Sequence, residues 1–226
     1  MIERELLDTA NIPGGEELRL FRRQLKNGPE YSIALGSNEL MNSRLSASEE
    51  ALATLTCAQL KSDQPHILIG GYGMGFTLRA AQNDLPGQAK IDVTELVPEI
   101  IDWARNQMQD LTAQSLDDPR VTTMIDDVAQ VIARSNATYD AILLDVDNGP
   151  DGLTNDANDR LYGMAGLAAA KNALRNGGVL AIWSSTKDAS FTGRLHQSGF
   201  SVKEETVTAR PNGKGARHNI WLASKP

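Results

Sequence analysis

Two aspartates that follow a strongly apolar run are the first candidates for chemistry. Asp145 and Asp147 come directly after Ala141-Ile142-Leu143-Leu144. Such a run is typical of a buried central strand, and the ligands of open α/β sheets bind at the carboxyl ends of the strands. Paired carboxylates there can hold a cationic amine and accept the proton that an amine must lose before it attacks. For Asp147 the alternative is an Asx-type turn before Asn148-Gly149-Pro150.

A glycine-rich turn is the most specific motif in the chain. It follows the apolar run Ile67-Leu68-Ile69, and its glycines are Gly70, Gly71, Gly73 and Gly75. Glycine lets a backbone turn sharply and approach a ligand closely, and a helix N-terminus adds free N–H groups. We therefore expect a ligand with a nucleoside or a carboxylate, the alternative being a purely structural turn. NAD and FAD are disfavoured, because the dinucleotide fingerprint counted from Gly71 would require glycine in place of Phe76.

Three further carboxylates follow predicted strands. Glu95 comes about twenty residues after the glycine-rich turn, where an acidic residue of such folds binds ribose hydroxyls. The alternative for Glu95 is an exposed strand-end carboxylate or a charge interaction with the N-terminus of the next helix. Asp126 and Asp127 follow the predicted strand 121–125. One of these two carboxylates can accept a hydrogen bond from an adenine amino group, while the other caps the following helix.

The elements that must position these residues alternate in type. Five strand-like segments are each followed by a helix-like segment. In chain order these pairs are 66–69 and 76–83, 89–95 and 98–108, 121–125 and 128–133, 139–144 and 157–174, and 179–183 and 189–198. This succession predicts an α/β fold with a mostly parallel sheet and helices on both faces.

The C-terminal part of the chain departs from this alternation. Residues 201–208 and 219–223 are strand-like and are joined by a turn-rich connector. We therefore expect the fold to close with an antiparallel β-hairpin. The connector ends in the basic stretch Lys214 to His218, which we interpret as solvated loop charges. The alternative is that this stretch folds over the crevice and suits an anionic substrate. Trp183, at a strand end, can line the pocket.

The N-terminal part also differs from the core. Residues 18–41 show short apolar alternations interrupted by turn signals, which predicts a small β appendage. A helix follows Ser46, and Glu49 stands at the spacing of a capping box. These signals predict a β appendage over residues 1–45 and an α/β domain over residues 46–226.

Composition and charge narrow the function classes. The net charge of −7 repels a phosphate backbone, which disfavours nucleic acid and favours a cationic or neutral small-molecule substrate. The single cysteine, Cys57, permits no internal disulfide, and the three histidines lack metal-ligand spacing, so we expect a metal-free mechanism. The charged N-terminus offers no apolar signal core, and no apolar run approaches about 20 residues. We expect a soluble, cytoplasmic protein without membrane contact.

Together these segments resemble the core of the spermidine synthase family. The similarity covers about residues 64 to 183, in the family's order and at matching separations. Its motifs are Ile69 to Gly75, Glu95-Leu96-Val97-Pro98-Glu99, Asp118-Pro119-Arg120-Val121, Asp126-Asp127 and Tyr139 to Asp145. The resemblance implies the class I methyltransferase-like (Rossmann-like) fold. It also implies that Glu95 binds ribose, Asp127 the adenine, and Asp145 the amine end of the nucleoside's side chain.

The resemblance further implies S-adenosylmethionine, or its decarboxylated form, as co-substrate, and a homodimer paired through strands of the β appendage. Three departures bear on the activity. The family has an aspartate in place of Gly73 and a second catalytic aspartate three residues after the first, whereas Asp147 follows Asp145 by two. A tyrosine–histidine pair on the first helix is missing, with Ser48-Glu49-Glu50 in that neighbourhood.

From these observations we expect transfer of an aminopropyl group from decarboxylated S-adenosylmethionine to an amine, with Asp145 and Asp147 as catalytic carboxylates. One alternative is a methyltransferase that uses S-adenosylmethionine on a small molecule. The other is a non-catalytic nucleoside-binding protein.

Overall fold

The computed structural model describes residues 4–12, 16–146 and 160–226 of the chain. Two sheets make up its β-structure. The first is antiparallel, in the order β1-β2-β3-β4. Its strands are β1 (Arg4–Asn11), β2 (Glu17–Leu25), β3 (Gly28–Leu35) and β4 (Asn38–Asn42). This sheet confirms the predicted N-terminal β-structure, while its status as a separate domain ending at residue 45 stays a prediction.

The second sheet has seven strands in the order β10-β11-β9-β8-β5-β6-β7. The pairs from β9 to β7 are parallel, and β10 and β11 form the antiparallel hairpin at one edge. The strands are β5 (His66–Gly70), β6 (Lys90–Glu95), β7 (Val121–Ile125), β8 (Tyr139–Leu144), β9 (Leu174–Ser184), β10 (Ser201–Thr208) and β11 (Arg217–Ser224). The predicted α/β fold with its closing hairpin is confirmed.

Seven α-helices with both ends in the described ranges accompany the strands, together with a short 3-10 helix (Ser115–Asp117). They are α1 (Ala47–Cys57), α2 (Phe76–Asp84), α3 (Pro98–Arg105), α4 (Gln109–Thr112), α5 (Val128–Ala133), α6 (Met164–Ala173) and α7 (Ala189–Gln197). None of them is both long enough and apolar enough to cross a membrane.

The two faces of the large sheet are buried differently. Ile67 and Ile69 of β5 belong to a hydrophobic cluster shared with Leu52 of α1 and with the N-terminal sheet. Leu68, between them, points to the opposite face and packs with side chains of α5, α6 and α7 such as Phe191. A parallel strand covered on both faces needs apolar residues throughout, which is why β5 and β8 appear as continuous apolar runs in the sequence.

The topology fixes where a ligand can bind. The chain runs from β5 outward to β6 and β7, and then returns to the other side of β5 with β8 and β9. The strand order therefore reverses between β5 and β8. Crevices of open α/β sheets form at such a switch point, outside the carboxyl ends of the strands. The glycine-rich turn follows β5 and Asp145 follows β8, so both lie at this crevice.

Several local predictions were wrong. The strand Arg4–Asn11 was not predicted. It is linked to α3 by a hydrogen bond that Trp103 Nε1 donates to Asp8 Oδ2 at 2.9 Å. The helix predicted over 98–108 ends at Arg105. The capping box is absent, because Ser46 has helical backbone angles and its hydroxyl makes no capping hydrogen bond.

Candidate active site

The glycine-rich turn lies in direct contact with the end of β8. The Asp145 N–H donates to the Gly70 carbonyl at 2.9 Å. Gly71 has a φ of +85°, and a Cβ at this position would lie 2.3 Å from the Asp145 carbonyl oxygen. Only glycine permits both the left-handed conformation and this approach of two strand ends. The turn therefore fixes the position of Asp145.

The rest of the turn packs against a buried tyrosine on one side and against the N-terminal sheet on the other. Gly73 and Gly75 have φ values of +53° and +74°, and Gly75 is the N-cap of α2. The Tyr72 side chain is buried, and its hydroxyl lies 3.2 Å from Ser115 Oγ. Met41 of β4 reaches over the turn, and its sulfur would lie 3.2 Å from a Cβ at Gly73. The N-terminal sheet thus forms part of the crevice wall.

Glu95 ends β6 beside the turn and is buried. Its Oε2 accepts from the Tyr72 N–H and its Oε1 from the Val97 N–H, both at 3.0 Å. Burial raises the pKa of Glu95, and hydrogen bonds from backbone N–H groups oppose that shift. The carboxylate therefore supports the loops after β5 and β6. Each oxygen has a further lone pair that can accept from a ribose hydroxyl, and ribose binding stays a prediction.

Asp126 and Asp127 follow β7 and have different partners. Asp126 Oδ2 lies 2.7 Å from Arg134 Nη2, a contact that lowers the pKa of Asp126. Asp127 caps α5, with its Oδ1 accepting from the Ala129 N–H at 2.9 Å. The sequence predicted one helix-capping aspartate and one that binds adenine. Asp127 caps the helix, and the resemblance had assigned the adenine to this same residue; adenine binding by either carboxylate stays a prediction.

Two exposed apolar residues are direct sequence neighbours of these acidic residues. Leu96 follows Glu95, Ile125 precedes Asp126, and each is 51% exposed. Large apolar side chains at adjacent strand ends offer a surface on which a flat nucleobase can pack. Neither residue was predicted as part of the site, although each stands directly beside a candidate carboxylate in the sequence.

Thr77 of α2 links Asp145, at the end of β8, to Glu49 of α1. Thr77 Oγ1 lies 2.6 Å from Asp145 Oδ2 and 3.2 Å from the backbone oxygen of Glu49. Burial raises the pKa of Asp145 to about 6. Burial, and then the nearby charges of Asp145 and Glu50, raise the pKa of Glu49 well above its usual range. The sequence placed Glu49 at capping-box spacing and near the position of the family's missing tyrosine–histidine pair, but gave it no role in the site. Asp147, the other predicted catalytic residue, lies outside the described residues.

An aromatic group completes this side of the crevice. The β8–β9 register pairs Leu144 with Ile182, so Asp145 and Trp183 are the next residues along the two strands. The Trp183 and His218 rings pack edge to face with centroids 4.8 Å apart. His218 Nδ1 lies 2.8 Å from Ser48 Oγ, and burial lowers the pKa of His218. His218 is therefore not a solvated loop charge, contrary to our interpretation of the basic stretch, and is neutral at pH 7.

The family model of the spermine/spermidine synthase domain matches residues 46–197, about two thirds of the chain. The chain belongs to this family. The match begins at Ser46, directly before α1, and extends to Gln197, the end of α7, so it spans all the candidate site residues except His218.

Curated relatives agree with this membership over shorter stretches. A polyamine aminopropyltransferase of Mycobacterium tuberculosis is 34% identical over 119 residues, which are 51% of this chain and 22% of the relative. Putrescine N-methyltransferase 2 of Nicotiana attenuata is 30% identical over 173 residues, which are 76% of this chain and 42% of the relative. The chain thus spans less than half the length of these relatives.

Solved structures of the family share the fold. A spermidine synthase in complex with the transition-state analogue AdoDATO superposes with a TM-score of 0.75 at 20% identity, covering 98% of this chain and 74% of that one. The spermidine synthase of Thermotoga maritima gives a TM-score of 0.73 at 19% identity, covering 98% and 73%. The coverage of this chain shows that its N-terminal sheet belongs to the shared fold.

Proposed function

We propose that the protein transfers an aminopropyl group from decarboxylated S-adenosylmethionine to an amine. The observation that carries this proposal is the position of Asp145, a carboxylate with a raised pKa at the switch point of a spermine/spermidine synthase family fold. The glycine-rich turn and Glu95 would hold the nucleoside, with Leu96 and Ile125 against its base and Asp126 and Asp127 close by.

The chemistry asks little of the protein beyond position and proton transfer. The acceptor nitrogen attacks the carbon next to the sulfonium, the C–S bond breaks with its electrons going to sulfur, and methylthioadenosine leaves. The sulfonium already activates that carbon, so the protein must align the two reactants and accept one proton. Asp145, with a pKa of about 6, is ionised at pH 7 and is close enough to neutrality to exchange a proton readily. We retain Asp147 as a second candidate for this role.

Methyl transfer to an amine is the second candidate function. It is favoured by the likeness to putrescine N-methyltransferase 2, which covers more of this chain than the likeness to the aminopropyltransferase does. Both functions use a sulfonium nucleoside and an amine acceptor. They differ in which carbon next to sulfur is presented to the amine. A metal-free mechanism, a homodimer and a cytoplasmic location remain predictions within this proposal.

A comparison of donors distinguishes the two functions. Purified protein is incubated with 1,4-diaminobutane and either decarboxylated S-adenosylmethionine or S-adenosylmethionine, and the nucleoside product is identified by mass spectrometry. We expect methylthioadenosine from the decarboxylated donor. S-adenosylhomocysteine from the ordinary donor would establish the methyltransferase instead. Binding of methylthioadenosine without turnover of either donor would favour the non-catalytic alternative.

A further inference from the structure

We propose that Glu49 is a second carboxylate of the amine site, where it binds the acceptor nitrogen jointly with Asp145. This inference rests on the proposed function and adds a residue to it. Glu49 lies in the first turn of α1, whose N-terminus approaches the end of β8. The Thr77 hydroxyl contacts the Asp145 carboxylate and the Glu49 backbone, so the two residues stand on either side of one side chain.

Among the described residues, the two carboxylates have no cationic partner. Other aspartates at the ends of the strands of the large sheet have arginine partners, Asp126 with Arg134 and Asp140 with Arg175. Within the described part of the chain, neither Glu49 nor Asp145 forms an ion pair with a lysine or arginine. Glu49 and Asp145 are both half-buried, and two neighbouring half-buried carboxylates without a cation are costly to ionise together. A bound alkylammonium ion would supply the missing charge.

An indole side chain, Trp183, lies beside the Glu49–Asp145 pair. Trp183 lies next to Asp145 across the β8–β9 register and is only 9% exposed. Its Nε1–H is buried and has no hydrogen-bond partner among the described residues. An indole ring beside carboxylates is a favourable environment for an ammonium group and its alkyl chain. The neutral His218 ring against Trp183 adds no competing positive charge.

The protonation of the pair gives the inference a specific signature. Burial raises the pKa of both carboxyls, and the charge of Asp145 raises that of Glu49 further, so the unliganded pair binds a proton at higher pH than two separate carboxyls would. A bound ammonium ion favours the ionised forms, so its binding releases that proton to solvent. The bound ammonium must lose a proton before its nitrogen can attack, and that proton passes to the same pair. Amine binding should therefore weaken as the pH falls through about 6.

The matched control is the neighbouring residue. Glu50 is also in the first turn of α1, but it lies about 100° further around the helix and makes no contact with Thr77 in the described structure. The substitutions Glu49→Gln and Glu50→Gln are chemically identical. A general effect of lowering the charge of α1 would appear equally in both variants. Loss of an amine ligand would appear in the first, and the second would show only the smaller effect of removing the charge that Glu50 places near Glu49.

The experiment is calorimetric titration of 1,4-diaminobutane into full-length protein saturated with methylthioadenosine, in two buffers with different ionisation enthalpies. For E49Q we expect diamine affinity to fall at least tenfold and the proton release to disappear, with methylthioadenosine affinity unchanged. For E50Q we expect less than a threefold change in diamine affinity. Unchanged diamine affinity and proton release in E49Q would overturn the inference, and so would equal losses in the two variants.

The result can be separated from the fate of the proposed function. If the wild-type protein binds diamine but forms no product, the transferase proposal fails and the E49Q titration still decides the role of Glu49. If the wild-type protein binds no diamine with or without nucleoside, the Glu49 inference fails whatever the nucleoside affinity. Unchanged methylthioadenosine binding in E49Q shows that the variant is folded.

Discussion

Replacing Asp145 by asparagine should abolish transfer and at the same time stabilise the fold. Asparagine is isosteric with aspartate, and its carbonyl oxygen can still accept the hydrogen bond from Thr77. The substitution therefore removes a charge without creating a cavity or leaving the Thr77 hydroxyl unpaired. A residue selected for function at a cost in stability should behave in this way.

The magnitude follows from the pKa. Burial raises the pKa of Asp145 from 3.8 to about 6. At about 1.4 kcal/mol for each tenfold change in proton affinity, ionising Asp145 in the folded protein costs about 3 kcal/mol more than in the unfolded chain. Asp145 is half-buried, so solvent screening lowers this cost, and we expect D145N to raise the free energy of unfolding by about 2 kcal/mol at pH 7.

The pH dependence shows in which direction Asp145 changes the free energy of unfolding. Between its two pKa values, Asp145 binds more protons in the folded protein than in the unfolded chain, so its contribution to wild-type stability rises as the pH falls from 7 towards 4. The variant lacks this gain, and the difference between the two proteins should vanish below about pH 4. Urea unfolding of both proteins at pH 7, 5.5 and 4 measures it.

Asp140, at the other end of β8, provides the control. Its carboxylate accepts from the His66 N–H at 2.8 Å and from Arg175 Nη1 at 2.6 Å. D140N weakens these charge-assisted bonds and should destabilise the protein by about 1 kcal/mol at pH 7. A D145N protein that is less stable than wild type at pH 7, as D140N should be, would refute the view that Asp145 is a strained, unpaired charge.

Two further substitutions test the support of the site. Gly71→Ala should lower the free energy of unfolding by about 2 kcal/mol or more and abolish nucleoside binding, because the added Cβ would overlap the Asp145 carbonyl. Gly87→Ala is the control, since a Cβ there meets nothing within 4 Å, and it should change the free energy of unfolding by less than about 0.5 kcal/mol. Equal effects of the two in urea unfolding would contradict the role given to Gly71. Glu95→Ala should leave two buried backbone N–H groups without an acceptor, which lowers the free energy of unfolding by roughly 1–3 kcal/mol for each group. The affinity for methylthioadenosine, measured by calorimetry, should also fall. An unchanged affinity would exclude Glu95 from the nucleoside site.

The sequence predicted the elements whose signals are local. The strands Val121–Ile125, Tyr139–Leu144 and Ser201–Thr208 have the predicted bounds, because apolar runs or alternations end at clear turn residues. The strand Arg4–Asn11 gave no such signal. Most of its side chains are polar and exposed, and it is held by backbone pairing with β2 and by the contact between Asp8 and Trp103. Tertiary pairing of this kind leaves no periodic pattern in the strand itself.

The same distinction applies to the candidate site. The glycine-rich turn and Asp145 were predictable, because each follows an apolar run along the chain. Glu49 and His218 were not, because they approach the crevice only when α1 packs on the sheet and β11 pairs with β9. For Glu49 a local rule even pointed elsewhere, since the Ser46 spacing suggested a capping box that the helix does not form.

The most direct test of the central claim is a single-turnover measurement of aminopropyl transfer. Wild-type protein and D145N are tested separately, each in molar excess over decarboxylated S-adenosylmethionine. After 1,4-diaminobutane is added, methylthioadenosine and the new amine are quantified over time. We predict equal amounts of the two products from the wild type and at least a hundredfold slower formation by D145N. Formation of both products by D145N at the wild-type rate, or of neither by a wild-type protein that binds both reactants, would contradict the account.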